Sequence, residues 1–220
     1  MNVPARIAVT LALACLSATA FAKDGDWELK KDKDGIQVYT RAVEGWEIHE
    51  VRGVTHLPGR LSSFVAVIDD IPNISRLAEL VAHAEVKKRD SPTKYQYYSV
   101  IDMPWPVSDR DMLTQREIAQ DPQTHVVTVT DTALADGTPP TKDHVRIVKS
   151  HSQWTFAPAA DGGVEVQMQT LADPAGPLPA SIINALSVSS PFQTLTNLKA
   201  LVQKDPYANA TLPFVQDAAQ

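Results

Sequence analysis

The side chains best suited to metal binding or acid-base chemistry in this 220-residue chain are its six histidines. They are His49, His56, His83, His125, His144 and His151. None falls at a recognised metal-ligand spacing, and the single cysteine, Cys15, lies in a segment predicted to be removed. The chain also lacks a G-x-S-x-G nucleophile elbow, a phosphate-binding P-loop and a G-x-G-x-x-G motif. We therefore predict no metal site, no cofactor and no catalytic residue.

One strand face is apolar apart from a single charge. The segment Met112–Ala119 is predicted to be a strand, in which every second residue shares a face. One of its faces carries Met112, Thr114, Arg116 and Ile118. If this face points inward, the guanidinium must be paired or hydrogen-bonded, because burying it alone costs too much desolvation energy. The alternative is that Arg116 faces solvent or pairs locally with Glu117 or Asp111.

The elements that position these residues change in type along the chain. Trp27–Thr40 contains two extended segments around Asp34-Gly35, which predicts a hairpin, and Ile48–Leu57 predicts a third strand. A short amphipathic helix at residues 60–69 and another around Asn73–Leu80 follow. Further strands are predicted at Ala84–Lys88, Lys94–Met103, Met112–Ala119, His125–Ala133, Asp143–Pro158 and Val164–Ala172.

A long C-terminal helix is predicted from Pro179 to about Lys204, where Asp205-Pro206 ends it. Its apolar stripe consists of Ile183, Leu186, Leu195, Leu198 and Val202. Pro191 lies inside the helix, and either a hinged lid or a static kink would explain it. Three serines precede this proline: Ser187, Ser189 and Ser190. Residues 205–220 are predicted to form an irregular tail.

The order of these elements predicts an α+β fold. Strands, short helices, many strands and one long helix follow one another, as in proteins whose helices pack on one side of an antiparallel sheet. A curved sheet closed by one helix encloses either a filled core or a cavity, and the pattern alone fits both.

Residues 1–22 have the three parts of a secretory signal peptide. Arg6 is followed by the apolar run Ile7–Leu16 and by Ala20-Phe21-Ala22, an A-x-A cleavage site. We expect cleavage near Ala22 and release into the bacterial periplasm, which leaves a mature protein without a cysteine or a disulfide. The alternatives are an uncleaved, membrane-anchored N-terminus and a lipoprotein attached through Cys15.

The composition indicates one globular domain, which we place at residues 23–204. A hydrophobic content of 44% is enough to fill a core. The formal charge is −6, and an acidic chain is a poor candidate for binding phosphate backbones. We therefore exclude nucleic acid as a partner.

One proline-rich segment resembles a known family. Met103–Asp111, with the sequence MPWPVSDRD, is similar to the turn and the Arg-Asp pair of START domains, the lipid-transfer family related to the steroidogenic acute regulatory protein. Three further segments resemble that family in the same order. They are Trp27–Arg41, similar to its first hairpin; Pro139–Arg146, similar to a loop before a Val-Arg pair; and Asp173–Asn184, similar to the start of its last helix. The resemblance spans about residues 26–204.

The resemblance implies a helix-grip fold, in which a curved antiparallel sheet wraps around a long C-terminal helix and encloses an internal hydrophobic tunnel for one lipid or sterol. It implies no cofactor. It also implies that Arg116, six residues after Arg110, projects into the tunnel. Several family members place a carboxylate partner on the preceding strand, where this sequence has Tyr97. We therefore predict that Arg116 keeps an uncompensated positive charge and favours a ligand with an anionic head group.

The residues that we single out fall into two groups. The candidate ligand-binding residues are Arg116, Tyr97, Met112, Thr114, Met168, Val166, Ile183, Leu186 and Ser190. The residues with a predicted structural role are Pro104, Trp105, Pro106, Arg110, Asp111, Arg146, Gly176 and Pro179. Arg110 and Asp111 are expected to fix the turn by local hydrogen bonds, and Trp105 either dips into a membrane or packs on the edge of the domain. Where the family usually carries a tryptophan after its second helix, Ile74 or Leu77 is expected to fill the space.

The predicted function is binding of one lipid, sterol-like or other hydrophobic small molecule. A monomer that contacts membranes transiently would carry or sequester this ligand in the cell envelope. One alternative is a cyclase-like or hydrolase-like enzyme of the wider superfamily, with Tyr97, Arg116 and Asp131 as candidate acid-base groups. Another is a ligand sensor, which would use the same tunnel.

Overall fold

The structure, a computed structural model, describes residues 27–137 and 143–217. The predicted signal peptide and residues 139–142 of the family-like loop lie outside these ranges. The described chain forms ten strands, two α-helices and one 3-10 helix. The strands are β1 (Glu28–Lys33), β2 (Ile36–Arg41), β3 (Glu50–Pro58), β4 (Val81–Ser91), β5 (Lys94–Ile101), β6 (Arg110–Gln120), β7 (Val127–Leu134), β8 (Val145–Arg146), β9 (Lys149–Pro158) and β10 (Gly163–Asp173). The helices are α1 (Leu61–Asp69), the 3-10 helix (Ile71–Arg76) and α2 (Ala180–Leu201).

The strands form one ten-stranded sheet in the order β1-β2-β3-β10-β9-β7-β6-β5-β4, with β8 beside β6. Neighbours along this path are antiparallel. The sheet curves around α2, which packs against β2 and β3. The predicted α+β helix-grip architecture is therefore confirmed.

The predicted single strand Asp143–Pro158 is in fact two strands. β8 runs parallel to the start of β6. The backbone N–H of Val145 donates to the carbonyl of Asp109, and that of Ile147 donates to the carbonyl of Asp111, both at 2.9 Å. Arg146 of β8 also pairs with Asp111 of β6. This attachment separates β8 from β9, which pairs with β7 and β10 instead.

The two predicted short helices are both present, but the second is shifted. α1 matches the predicted range and buries Phe64, Val65 and Ile68 completely. The second is a 3-10 helix that starts at Ile71. Pro72 lies in its first turn, a position that tolerates proline because the missing N–H would have no partner within the helix. Leu77 joins the main core and Ile74 packs against that core, at the place where the family usually carries a tryptophan.

The C-terminal tail is part of the domain. Tyr207 and Val215 are 4% and 8% exposed and belong to the main core. Asp217 accepts hydrogen bonds from the backbone N–H and Oγ of Ser62, at 2.9 and 2.8 Å, and pairs with Arg60 at 2.6 Å. It therefore satisfies the N-terminus of α1, where Arg60 provides no side-chain cap. Residues beyond the predicted boundary at 204 therefore pack on the domain, as far as Asp217.

His56 links β3 to the neighbouring strand and turn on the outer side of the sheet. Its Nδ1 lies 2.8 Å from Glu165 and its Nε2 lies 2.9 Å from Asp161. The hydrogen bond to Glu165 is the main reason that the pKa of His56 is raised above its ordinary value of 6.5. Gly163 leaves room for this ring, because a Cβ at that position would lie 2.7 Å from it.

We expect the substitution His56→Gln to lower the melting temperature more at about pH 5.5 than at about pH 8.5. A raised pKa in the folded state means that the charged imidazole stabilises the fold fully below about pH 6.5, and that this contribution is lost as the pH rises through the folded-state pKa. Thermal unfolding followed by circular dichroism measures both values. His83→Gln is the matched control, because His83 approaches its partner Glu85 only to 3.8 Å. An equal loss at both pH values for His56→Gln would contradict this assignment.

Candidate functional site

An apolar cavity of about 330 Å³ lies between the first half of α2 and the sheet. β3 and β10 form one wall, and the stretch of α2 from Ile182 to Pro191 forms the opposite wall. Its apolar lining consists of Ile48, Val51, Leu80, Met103, Met168, Ala172, Pro174, Leu178, Ile182, Ile183, Leu186 and Pro191. Its polar lining consists of Glu47, His49, Thr170, Asn184, Ser187 and Ser190. The arrangement offers surface for an apolar molecule and a few polar groups to orient one end of it.

The mouth of this cavity lies beside the loop that precedes β3. Glu47 and His49 line the cavity and are themselves exposed. An adjoining hollow of about 600 Å³ shares Ile48 and Leu178 with the cavity and extends outward past Lys149. The polar side chains of the lining therefore include two that stand where the cavity opens to solvent.

The structure brings only part of the predicted ligand-binding set to the cavity. Met168, Ile183, Leu186 and Ser190 line it. Val166 lies two residues before Met168 on β10 and is buried in the main core. The remaining four are Tyr97, Met112, Thr114 and Arg116, and none of them belongs to the lining of this cavity. The predicted site thus corresponds to two different places in the fold.

Arg116 is 2% exposed, and its guanidinium is fully engaged. Its Nε and Nη2 donate to the two carboxylate oxygens of Asp131 at 2.8 and 2.6 Å. Its Nη1 donates to the carbonyl of Ile68 in the last turn of α1. Burial lowers the pKa of Arg116, but the charge of Asp131 opposes this effect, and the net pKa lies well above the ordinary value.

The prediction of an uncompensated charge at Arg116 is therefore wrong, and with it the argument for an anionic head group. The carboxylate lies on the following strand, directly opposite Arg116 in the β6–β7 ladder, instead of on the preceding strand. The alternative partners are also wrong, because Glu117 pairs with Lys94 and Asp111 pairs with Arg146. Arg116 does point inward, as the resemblance to START domains implied.

Tyr97, Arg116 and Asp131 form one buried cluster. The Tyr97 hydroxyl donates to Asp131 at 3.2 Å, and the guanidinium of Arg116 lies 5.1 Å from the Tyr97 ring centre. Burial raises the pKa of Tyr97 far above neutrality. The phenol therefore stays protonated and the guanidinium stays charged at neutral pH, so neither can act as a base.

Arg110 and Asp111 hold distant parts of the chain together, which corrects the expectation of purely local hydrogen bonds. Arg110 donates to the carbonyls of Pro174 and Ala175, both at 3.0 Å, and also to that of Ser108. These bonds attach the start of β6 to the segment before α2. Gly176, in the same segment, has a φ of +67°, a left-handed conformation that favours glycine, and a Cβ at this position would lie 4.0 Å from Arg110 Nη2.

Asp111 is completely buried and has three donors. Arg146 donates to it through Nε at 2.6 Å and through Nη2 at 2.8 Å, and the Tyr98 hydroxyl donates at 2.9 Å. The hydrogen bonds from Arg146 hold the pKa of Asp111 below its usual range. Burial, together with Asp111, raises the pKa of Tyr98 to about 12.

Trp105 projects from the loop between β5 and β6 and is 92% exposed. It does not pack on the edge of the domain, so that alternative is wrong. Pro106 of the same loop faces Leu178 and Pro179 across a hollow of about 590 Å³. Leu178 also lines the cavity, so this loop lies close to its mouth.

Sequence reasoning missed the cavity residues that come from loops and element ends. These are Glu47, Ile48, His49, Leu80, Met103, Pro174 and Leu178. Helical spacing identified Ile183 and Leu186, but loop residues follow no period, and His49 was considered only as a metal ligand. The sequence feature that could have identified two of them is an apolar residue next to a proline, as in Met103-Pro104 and Pro177-Leu178-Pro179.

Two further features of the described residues bear on function. Residues 27–137 and 143–217 contain no group of three or more His, Cys, Asp or Glu side chains arranged to hold a metal ion. Within the same ranges, neither helix has the length and apolar composition needed to cross a membrane.

Comparison with known proteins relates this geometry to a family. Residues 11–206 match the family model of the START domain. An uncharacterised protein from Pseudomonas aeruginosa is 29% identical over 211 residues, which cover 88% of this chain and 98% of that protein. A crystallised fragment of a STAR-related lipid transfer protein from Xanthomonas axonopodis is 35% identical, with a TM-score of 0.74 over 81% of this chain and 99% of that one.

A more distant structure shows the same fold. Human StAR-related lipid transfer protein 5 is 17% identical, with a TM-score of 0.70 over 80% of this chain and 86% of that protein. The family match covers most of the chain, and the order and curvature of the strands around α2 agree with it. The chain therefore belongs to the START domain family, whose members generally bind hydrophobic ligands and transfer lipids.

Proposed function

We propose that this protein binds one lipid or other hydrophobic small molecule in the cavity beneath α2, and that it carries or sequesters this ligand in the cell envelope as a monomer. The observation that carries the proposal is the cavity itself, with its mostly apolar lining and its polar mouth. A hollow of about 520 Å³ beside the start of α1 is a weaker candidate, because a surface turn and the Arg60–Asp217 pair form much of its lining.

Burial of an apolar ligand supplies enough free energy without special chemistry. Removing several hundred Å² of ligand surface from water stabilises a complex by on the order of 10 kcal/mol before the costs of association. The polar groups at the mouth then set the orientation of the ligand. We infer binding without catalysis, since the buried Tyr97–Asp131–Arg116 cluster neither lines the cavity nor titrates through Tyr97 or Arg116 near neutral pH.

Native mass spectrometry of the protein purified from its own cell envelope tests this proposal. We expect one copy of the chain, shortened by the predicted cleavage near Ala22, with one hydrophobic molecule that organic extraction identifies. Recovery in the periplasmic fraction would support the proposed location. A protein that carries no lipid and takes up none from fatty acids, phospholipids or sterols would overturn the carrier proposal.

Trp105 supports the proposal of transient membrane contact, because an indole on an exposed loop suits the membrane interface. We expect Trp105→Ala to slow ligand exchange with phospholipid vesicles by about tenfold, since the indole no longer enters the interface. Stopped-flow transfer of a fluorescent lipid measures this rate, and the melting temperature should stay unchanged. Leu29→Ala is the matched control, because Leu29 is also an exposed apolar residue, 48% accessible, but lies on β1. Equal slowing by both substitutions would contradict a specific role for the loop.

A further inference from the structure

A proline interrupts the helix that forms one wall of the cavity beneath α2. Pro191 is buried inside α2 and lines the cavity together with Ser187, which lies one turn earlier. In an α-helix the carbonyl of each residue accepts a hydrogen bond from the backbone N–H four residues later, and proline has no N–H. The carbonyl of Ser187 therefore lacks its usual donor within the helix. It adds a hydrogen-bond acceptor to the turn of α2 that borders the cavity.

Two hydroxyl groups of the lining already donate their protons within the protein. Ser187 Oγ donates to the carbonyl of Asn184 at 3.0 Å. Thr170 Oγ1, on the β10 wall, donates to Ser152 Oγ at 3.2 Å. A hydroxyl has one proton and two lone pairs, so both oxygens remain acceptors towards a ligand. Ser190, three residues after Ser187 on the same side of α2, adds a further hydroxyl to this wall.

The charged side chains around the cavity disfavour an anion. Among the described residues that line it, Glu47 is acidic and none is lysine or arginine. Glu79 lines a hollow of about 220 Å³ that shares lining residues with the cavity. Lys149 lines the hollow on the other side, where Asp173 is its partner in the β9–β10 ladder. A carboxylate or phosphate inside the cavity would lose its hydration without gaining a lysine or arginine partner, which is costly.

We propose that the polar group of the ligand is an uncharged hydrogen-bond donor, a hydroxyl, which binds between Ser187 of α2 and Thr170 of β10. The acceptors of these two residues take its proton, and the Ser190 hydroxyl donates to its oxygen. This inference rests on the proposed function and narrows the ligand to neutral lipid alcohols, as opposed to fatty-acid carboxylates and lipid phosphates. It sets no limit on the number or the length of the apolar chains.

Displacement of Nile red, an uncharged fluorescent probe, from the delipidated protein at neutral pH tests this inference. The first competitors are dodecanol, its methyl ether and dodecanoate, which share one apolar chain. We expect dodecanol to bind about tenfold more tightly than the ether, which has no proton to donate, and at least tenfold more tightly than the carboxylate. Diacylglycerol, which has a free hydroxyl, should exceed phosphatidic acid with the same chains by a similar factor.

Pro191→Ala tests the acceptor on α2 directly, because alanine restores the N–H that binds the Ser187 carbonyl. We expect the preference for dodecanol over its ether to fall to about threefold, without a loss of melting temperature. A change in the mobility of α2 would alter the affinity for both molecules alike, so their ratio isolates the hydrogen bond. Ser189→Ala is the matched control, since Ser189 bonds to the carbonyl of Ala185 at 2.7 Å but does not line the cavity.

Thr170→Val removes the acceptor on the other wall and is the second, independent variant, which serves if Pro191→Ala fails to fold. It should lower the same preference about threefold. Equal affinity of the wild-type protein for alcohol and ether, anionic competitors that bind as tightly as their neutral counterparts, or a preference that neither variant lowers overturns this inference but not the proposed function. A protein from which no competitor displaces Nile red overturns both.

Discussion

Replacing Asp131 with alanine is expected to lower the free energy of unfolding by about 3–5 kcal/mol. Arg116 would remain buried, with the Ile68 carbonyl as an acceptor but without its counter-charge. Removal of one partner from a buried ion pair is costly because the other charge has already lost its hydration. For a protein of this size, this corresponds to a melting temperature lower by roughly 10 °C. Urea unfolding followed by circular dichroism measures the change.

Asp90→Ala provides a matched control for the Asp131 substitution. Asp90 pairs with Lys88 at 2.9 Å, but both side chains are solvent-accessible, so its removal should change stability by less than about 0.5 kcal/mol. The double substitution Arg116→Met with Asp131→Leu should recover most of the loss, since it removes both charges of the pair. A loss from the double substitution as large as that from Asp131→Ala would show that the cost does not come from an unpaired charge.

The same double substitution tests whether Arg116 and Asp131 form a structural ion pair or bind the ligand. Because neither residue lines the cavity, the affinity for a fatty acid should change by less than about twofold. A selective loss of affinity for anionic ligands would restore the original prediction that Arg116 binds the head group. The two readouts, stability and affinity, are therefore expected to respond independently.

The sequence was most informative where a structural period could be read. Alternation along β6 correctly placed Arg116 on one face with Thr114 and Ile118, and helical spacing correctly placed Ile183 and Leu186 on the side of α2 that faces the sheet. The resemblance to START domains added the topology, which the local pattern does not specify. These predictions depend on neighbours that are close in sequence or on a family that fixes the long-range order.

Long-range pairings were the main source of error. The partner of Arg116 was sought on β5, although each central strand has two neighbours and Asp131 lies on the other one. Likewise, Asp111 finds Arg146 only because β8 adds in parallel to β6, and a single sequence carries no register for such a pairing. Loop residues of the cavity, such as Ile48 and Leu178, were missed because they follow no period.

The C-terminal tail is irregular, as predicted, but its packing could not be predicted because its contacts are distant in sequence. Tyr207 donates a hydrogen bond to Asp70 at 2.7 Å, across more than a hundred residues of chain. Gln216 exchanges two hydrogen bonds with Gln120, both at 2.7 Å. With Asp217 at the start of α1, these contacts attach the tail to both ends of that helix and to β6.

Removal of residues 207–220 is therefore expected to lower the free energy of unfolding by on the order of 5 kcal/mol. Each buried side chain, Tyr207 and Val215, contributes about 1.5–3 kcal/mol, and the acceptor that Asp217 supplies to α1 contributes about 1 kcal/mol. Chemical unfolding of the truncated and full-length chains measures the difference. Asp217→Ala isolates the contribution at α1, and Asp205→Ala, an exposed aspartate of the same tail, is its control.

The truncation should leave ligand binding intact at a temperature at which the shortened chain is folded. Among the described residues of the tail, 207–217, none lines the cavity. These residues secure the opposite end of the helix layer, where α1 meets the core. If the first half of α2 moves to admit a ligand, the core at the other end stays packed, because Tyr207 and Val215 belong to it. Affinity within about twofold of the full-length chain is the expected result. A large loss of affinity in a folded, truncated protein would mean that the tail shapes the cavity as well as the core.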